Sequence, residues 1–144
     1  MKGLTIQRQV HFGRGRNSRK VIHEGPQPEA PQPTPVGRVP RISKLMALAL
    51  RFERLINAGE ITDQAELARL GQVSRARVTQ IMNLLLLAPD IQEELLFLPR
   101  THEGRDPIRE IMVRPIAAVL DWRKQRRFWK QLLADQQVEI AFYN

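Results

Sequence analysis

Six prolines fall between Pro26 and Pro40, and no helix or internal strand passes through such a stretch, because each proline lacks an amide hydrogen and has a fixed φ. The chain is thereby divided. Residues 25–41 read as an extended linker, residues 1–24 as a basic N-terminal arm, 42–134 as the helical domain and 135–144 as a C-terminal tail. A total of 144 residues suits one domain with an appendage.

Beyond the linker the apolar spacing becomes helical. Leu45, Leu48, Phe52, Leu55 and Ile56 recur at three and four residues, and Gly59 stands where that helix should end. Asp63 with Glu66 has capping-box spacing and opens a short second helix carrying Ala65, Leu67, Ala68 and Leu70. Ser74 is placed to cap a third, with a buried stripe of Val78, Ile81, Met82 and Leu85, ending before Pro89. Asp90 with Glu93 predicts a fourth helix, and Asp106-Pro107 a fifth that Pro115 interrupts or restarts. Asp121 predicts the start of the last, with Trp122, Phe128, Trp129, Leu132 and Leu133 at helical spacing. The expected fold class is all-α, a small helical bundle with an extended basic arm.

Two readings stand for the arm. Leu4, Ile6, Val10 and Phe12 alternate with polar residues, which suits a strand hairpinned with Lys20 to His23; the other reading is a basic arm without regular structure. Val138, Ile140 and Phe142 alternate too, and predict a C-terminal strand.

Charge narrows the partner. There are 23 Lys and Arg against 15 Asp and Glu, a net +8, and 18 of the cations are arginine, whose planar fork matches phosphate and guanine. With no cysteine, thiolate zinc sites, disulfides and cysteine nucleophiles are excluded. His11, His23 and His102 are isolated, so no metal or other cofactor is expected, and Glu93-Glu94 reads as a cap and a solvated neighbour rather than an acid pair. No apolar run reaches the ~18 residues of a membrane span. A non-enzymatic, cytoplasmic, nucleoid-associated protein is the expectation.

Residues 63–83, DQAELARLGQVSRARVTQIMN, have the layout of a helix-turn-helix. Ala68 permits close approach of two helices, and Leu67, Val73, Val78 and Ile81 are the residues to seal the angle. Advancing 100° per residue, Arg75, Ala76, Thr79, Gln80 and Asn83 share the side opposite Val78, Ile81 and Leu85. Arg reads guanine, Gln and Asn read adenine, and Ala76 with the Thr79 methyl suits a thymine methyl. Ser74 and Arg77 at the flank suit phosphates.

The stretch ELARLGQVSRARVTQIMNLLLLAPDIQEELL, Glu66 to Leu96, resembles the helix-turn-helix segment of the ParB and KorB family of partition and plasmid regulatory proteins. The resemblance includes the Leu-rich helix end, the Ala88-Pro89 break and the Ile91-Gln92 helix that follows. It implies that Ser74 to Asn83 is a recognition helix and Gln64 to Leu70 its support. Family members that act in chromosome segregation carry a nucleotide-binding clamp domain ahead of this segment. Here a Pro-rich basic stretch precedes it, and nucleotide hydrolysis is not expected. Gly71 lies one residue earlier than the turn glycine of many helix-turn-helix proteins, which predicts a different turn.

Outside that segment, Arg14-Gly15-Arg16 resembles the core of a minor-groove hook, the alternatives being a phosphate-binding arm or a strand turn. Arg123, Lys124 and Arg127 on the last helix suit flanking phosphates, while its tryptophans are expected to pack. The function expected is sequence-specific binding of double-stranded DNA by a homodimer, in transcriptional regulation or maintenance of a mobile element. The alternative is an accessory protein that docks on a larger DNA enzyme such as a recombinase, with only nonspecific DNA affinity.

Overall fold

The computed structural model describes residues 3, 6–14, 19–26 and 37–140, and divides into two units, Met1–Val36 and Gly37–Asn144. The first unit holds a hairpin. Strands β1 (Val10–Arg14) and β2 (Lys20–Glu24) pair antiparallel, with Val10 opposite Glu24 and Arg14 opposite Lys20. The strand is shorter than the alternation predicted, since Ile6 lies outside it. His11 and His23, directly opposite, stack with ring centroids 5.3 Å apart. Gly13 makes room for that stack: a Cβ there would lie 2.8 Å from the His23 ring. Arg8 and Glu24 close the open end with a 2.8 Å ion pair.

The second unit is helical: α1 (Arg41–Asn57), α2 (Gln64–Gly71), α3 (Arg75–Met82), α4 (Pro89–Leu96), α5 (Glu110–Ala117) and α6 (Trp122–Asp135), with a 3₁₀ turn, Asn83–Leu86, after α3. The molecule is mainly α, as expected. No described helix is long and apolar enough to cross a membrane. The main core joins Ile42, Met46 and Ala49 of α1 to Leu84, Leu87, Ile91 and Leu95, to Ile108 and Val113, and to Trp129 of α6. A smaller cluster of Leu67, Ala68 and Val78 packs with Phe52, Ile56, Ile61 and Met82, tying α2 and α3 to the end of α1.

Most helix starts follow their capping signals. Asp63 Oδ1 accepts from the Glu66 amide at 2.9 Å, Ser74 Oγ from the Arg77 amide at 3.1 Å, and Asp121 Oδ1 from the Arg123 amide at 2.8 Å. The box at α2 is displaced by one residue, because the Glu66 carboxylate reaches the amide and hydroxyl of Thr62. Gly59, at φ 72°, ends α1 in the left-handed conformation that glycine adopts without strain.

Several expectations are corrected. The N-cap of α4 is Ala88, with Pro89 at N1, and Asp90 falls in the first turn, where its carboxylate accepts from Arg126 at 2.8 Å. Asp106-Pro107 does not open α5, which begins at Glu110. Asp106 instead ties three segments together, accepting from the Arg41 amide (2.9 Å), the Thr101 hydroxyl (2.8 Å) and the Arg38 guanidinium (3.1 and 3.2 Å). The beginning of α1 is thus anchored to the loop before α5. Pro115 neither interrupts nor restarts α5 but sits inside it. Its missing amide would have reached Ile111, and both residues lie on the exposed side of the helix.

Three further corrections concern packing. Leu70 and Val73 are exposed and Ile81 joins the main core, so of the residues expected there Leu67, Ala68 and Val78 pack α2 against α3. Glu94 is not a solvated neighbour, since its carboxylate accepts a hydrogen bond from the indole of buried Trp129. Val138 and Ile140 form no strand; Gln137, at φ 54°, turns the chain back after α6 so that both pack against the main core. Phe142 lies outside the described residues.

Candidate nucleic-acid interface

The α2–α3 pair is built by sequence-local forces. Ala68, only 4% exposed, lets the two helices touch, and Leu67 and Val78 close over it. A turn of three residues, 72–74, joins them. Gln72 is left-handed at φ 52°, and its amide donates back to Arg69, while the Val73 amide reaches Ala68 at 3.1 Å. Gly71 is the last residue of α2 and is not the left-handed one. Glutamine rather than glycine takes the strained left-handed position.

On α3 the predicted outward set emerges. Arg75, Ala76 and Thr79 are exposed, Asn83 follows them into solvent, and Val78 and Ile81 are buried opposite. Thr79 donates its hydroxyl to Gln64 Oε1 at 3.2 Å, which ties α3 to the start of α2. Gln80 is half-buried, and its Oε1 accepts from Arg77 at 3.2 Å, so its amide NH₂ is the group left to present.

Arg77 differs from its expected role. Its guanidinium donates twice to Glu110, at 2.6 and 3.1 Å, and is occupied in bracing α3 against α5. Burial pushes the Glu110 carboxyl up. The bonds and charge of Arg77, with the charges of Arg114 and Arg41, outweigh this and hold it below the ordinary glutamate range. Ser74 caps the helix with its hydroxyl and remains exposed at its N-terminus, the positive end of the helix dipole.

A second brace, absent from the sequence expectations, holds the far end of α3. Gln125 of α6 is completely buried. Its Oε1 accepts from the Ala88 amide at 2.8 Å, and its Nε2 donates to the carbonyls of Leu86 (3.1 Å) and Val119 (2.6 Å). Gln92 Nε2 donates to Leu85 and Leu87 at 3.0 and 2.9 Å. Two glutamines therefore satisfy backbone groups from Leu85 to Ala88, across the end of the 3₁₀ turn and the two residues after it, where helical hydrogen bonding stops. The available signal was one uncharged polar residue in the basic run Arg123 to Arg127, four positions before Trp129 on the apolar stripe.

The remaining predicted residues are dispersed. Arg123, Lys124 and Arg127 stand exposed on α6, which packs on α5. Arg14 ends β1 in the other unit, with its side chain outside the described residues, as is all of Arg16. Of the tryptophans, Trp129 packs as expected, while Trp122 is half-exposed with its indole donating to the Leu86 carbonyl at 3.3 Å. Among the described residues, no three His, Asp or Glu side chains are grouped to hold a metal ion. Comparison with protein-family models, with curated proteins and with solved structures returns no match.

Proposed function

We propose that the chain is a non-enzymatic, sequence-specific double-stranded DNA-binding protein in which α2, its turn and α3 act as a helix-turn-helix. The observation that carries this reading is the outward face of α3. Arg75, Ala76, Thr79 and Asn83 are exposed there, and no acidic residue occurs between Glu66 and Asp90. Meanwhile Arg77, Thr79, Gln125 and Gln92 fix the helix or its continuation in place. A face held rigidly suits base readout, because side chains set on a braced helix lose less freedom on binding.

Inserted in the major groove, Arg75 would pair with guanine O6 and N7 and Asn83 with adenine. Gln80, with its oxygen engaged, would donate to a purine or thymine acceptor, and Ala76 and the Thr79 methyl would meet a thymine methyl. One such helix covers a few base pairs, so a homodimer on a near-palindromic site is the arrangement proposed, in regulation or mobile-element maintenance. The resemblance of Glu66 to Leu96 to the ParB and KorB segment supports the same reading.

The test is selection of bound sites from a random duplex pool at about 150 mM salt, where weak nonspecific attraction is suppressed. An enriched motif that is lost when Arg75, Gln80 and Asn83 are changed to alanine supports base readout. Tight low-salt binding with no enrichment refutes it and favours the accessory role beside a larger DNA enzyme.

A further inference from the structure

Between the start of α1 and the start of α5 lies an open cavity of about 440 Å³ walled by five arginines, Arg38, Arg41, Arg105, Arg109 and Arg114, over Ile42 and Ile108. Its two carboxylates are already committed. Asp106 accepts from Arg38, Thr101 and the Arg41 amide. Glu110 accepts from Arg77 and lies 3.5 Å from Arg114 Nε. Five guanidiniums against two carboxylates leave a surplus of three positive charges around one concavity. Arg105 and Arg109 are exposed and make no ion pair with the described residues.

The cavity is connected to α3 through Arg114 and Glu110 of its wall. Arg114 lines both this cavity and a recess of about 270 Å³ bounded by Gln80 and Asn83, and the Arg77–Glu110 bond links α3 to the cavity wall. A concave wall of planar guanidinium forks favours a ligand with repeated anionic groups that each offer two acceptor oxygens, which is the chemistry of a phosphodiester backbone. Continuity with the α3 face selects the backbone of the same duplex over a separate small anion.

We propose that this arginine cleft seats the DNA backbone flanking the bases read by α3, with Arg105 and Arg109 as its phosphate contacts; the assignment rests on the DNA-binding reading above. It is a site of affinity rather than of sequence choice.

The experiment compares the full-length chain with Arg105→Gln/Arg109→Gln and with a control, Arg51→Gln/Arg54→Gln, which neutralises two exposed arginines of α1 away from the cavity. Binding to a selected duplex and to an unrelated one is followed from 50 to 200 mM salt. Two lost phosphate contacts should make the log K against log[salt] slope shallower by about 1.8, so the affinity lost over that range shrinks roughly 12-fold. The change should be equal on both duplexes, with the selected motif retained and the control slope unaltered. A cleft-variant slope equal to wild type, in a protein with an unchanged thermal melt, overturns the proposal. If the variant melts early, Arg105→Lys/Arg109→Lys keeps the charges and must keep the slope, and a slope lost there as well overturns the assignment to charge. Pyrophosphate at matched ionic strength, bound tightly by the free protein and not by the glutamine variant while the duplex slope stays unchanged, would assign the cleft to a small anion and likewise overturn it. Failure of the base-reading proposal is separable: no motif would be selected by wild type, yet the slope on any duplex would still decide the cleft.

Discussion

Replacing Gln125 with leucine keeps the approximate volume of the side chain and deletes only its polar function. Three backbone groups then lose a partner: the Ala88 amide and the carbonyls of Leu86 and Val119. The Leu86 carbonyl retains the Trp122 indole, leaving two orphans, and Ala88 is wholly buried. At about 1–3 kcal/mol for each unsatisfied buried group, and with incomplete additivity, the loss should be about 2–4 kcal/mol. Urea unfolding measures it directly. With a slope of about 1.5 kcal/mol/M, the midpoint should fall by about 2 M at unchanged slope. A companion substitution sharpens the assignment: Gln125→Glu keeps an acceptor for the Ala88 amide but, when ionised, aims a charge at two carbonyls. Its folded-state pKa must then be raised, so the variant should gain stability relative to wild type as pH falls from 7 to 5. A leucine variant that loses less than about 1 kcal/mol would refute the clamp, because the buried amide would have found other satisfaction.

Three other outcomes are expected. Gln72→Gly relieves a left-handed glutamine and should stabilise the helical unit by about 0.5–1 kcal/mol after the added freedom of the unfolded glycine is subtracted, raising the melting temperature by a few degrees; a fall in that temperature would count against the turn described here. For Arg77 and Glu110, a double-alanine cycle in urea should return a coupling of about 1–3 kcal/mol, since both groups are largely removed from solvent, whereas zero coupling would free Arg77 for a phosphate. Burial pushes the Asp106 carboxyl up, but the Arg41 amide, the Thr101 hydroxyl and Arg38 together hold it below the ordinary aspartate range. The stability it contributes is therefore complete above the unfolded aspartate pKa near 4 and is lost as pH falls through the lower folded value. Asp106→Asn should be less stable than wild type at pH 7, with the gap narrowing below pH 4; a gap that widens in acid would contradict this sign.

The features legible in the sequence were those whose causes lie within about four residues. Asp63, Ser74 and Asp121 cap the helices they were expected to cap, because a cap bond closes over two or three residues. Four of the five residues expected outward, Arg75, Ala76, Thr79 and Asn83, are exposed as helical pitch alone dictates, while Gln80 is half-buried against Arg77. The same local logic failed at Asp106. Carboxylate followed by proline is a sound helix-start signal, but Arg41 and Arg38, lying 65 and 68 residues earlier, compete for that carboxylate, and chain-distant partners leave no trace in local spacing. Arg77 failed for the same reason, since Glu110 is 33 residues away. Both corrections concern one surface. The two carboxylates that line the arginine cleft, Asp106 and Glu110, are neutralised internally by Arg38 and Arg77. The arginines spent on them are therefore the cost of leaving Arg75, Arg105 and Arg109 free of carboxylate partners among the described residues. A count of charges along the sequence weighs all these arginines alike; only their pairing separates those that brace the fold from those left to meet an anion.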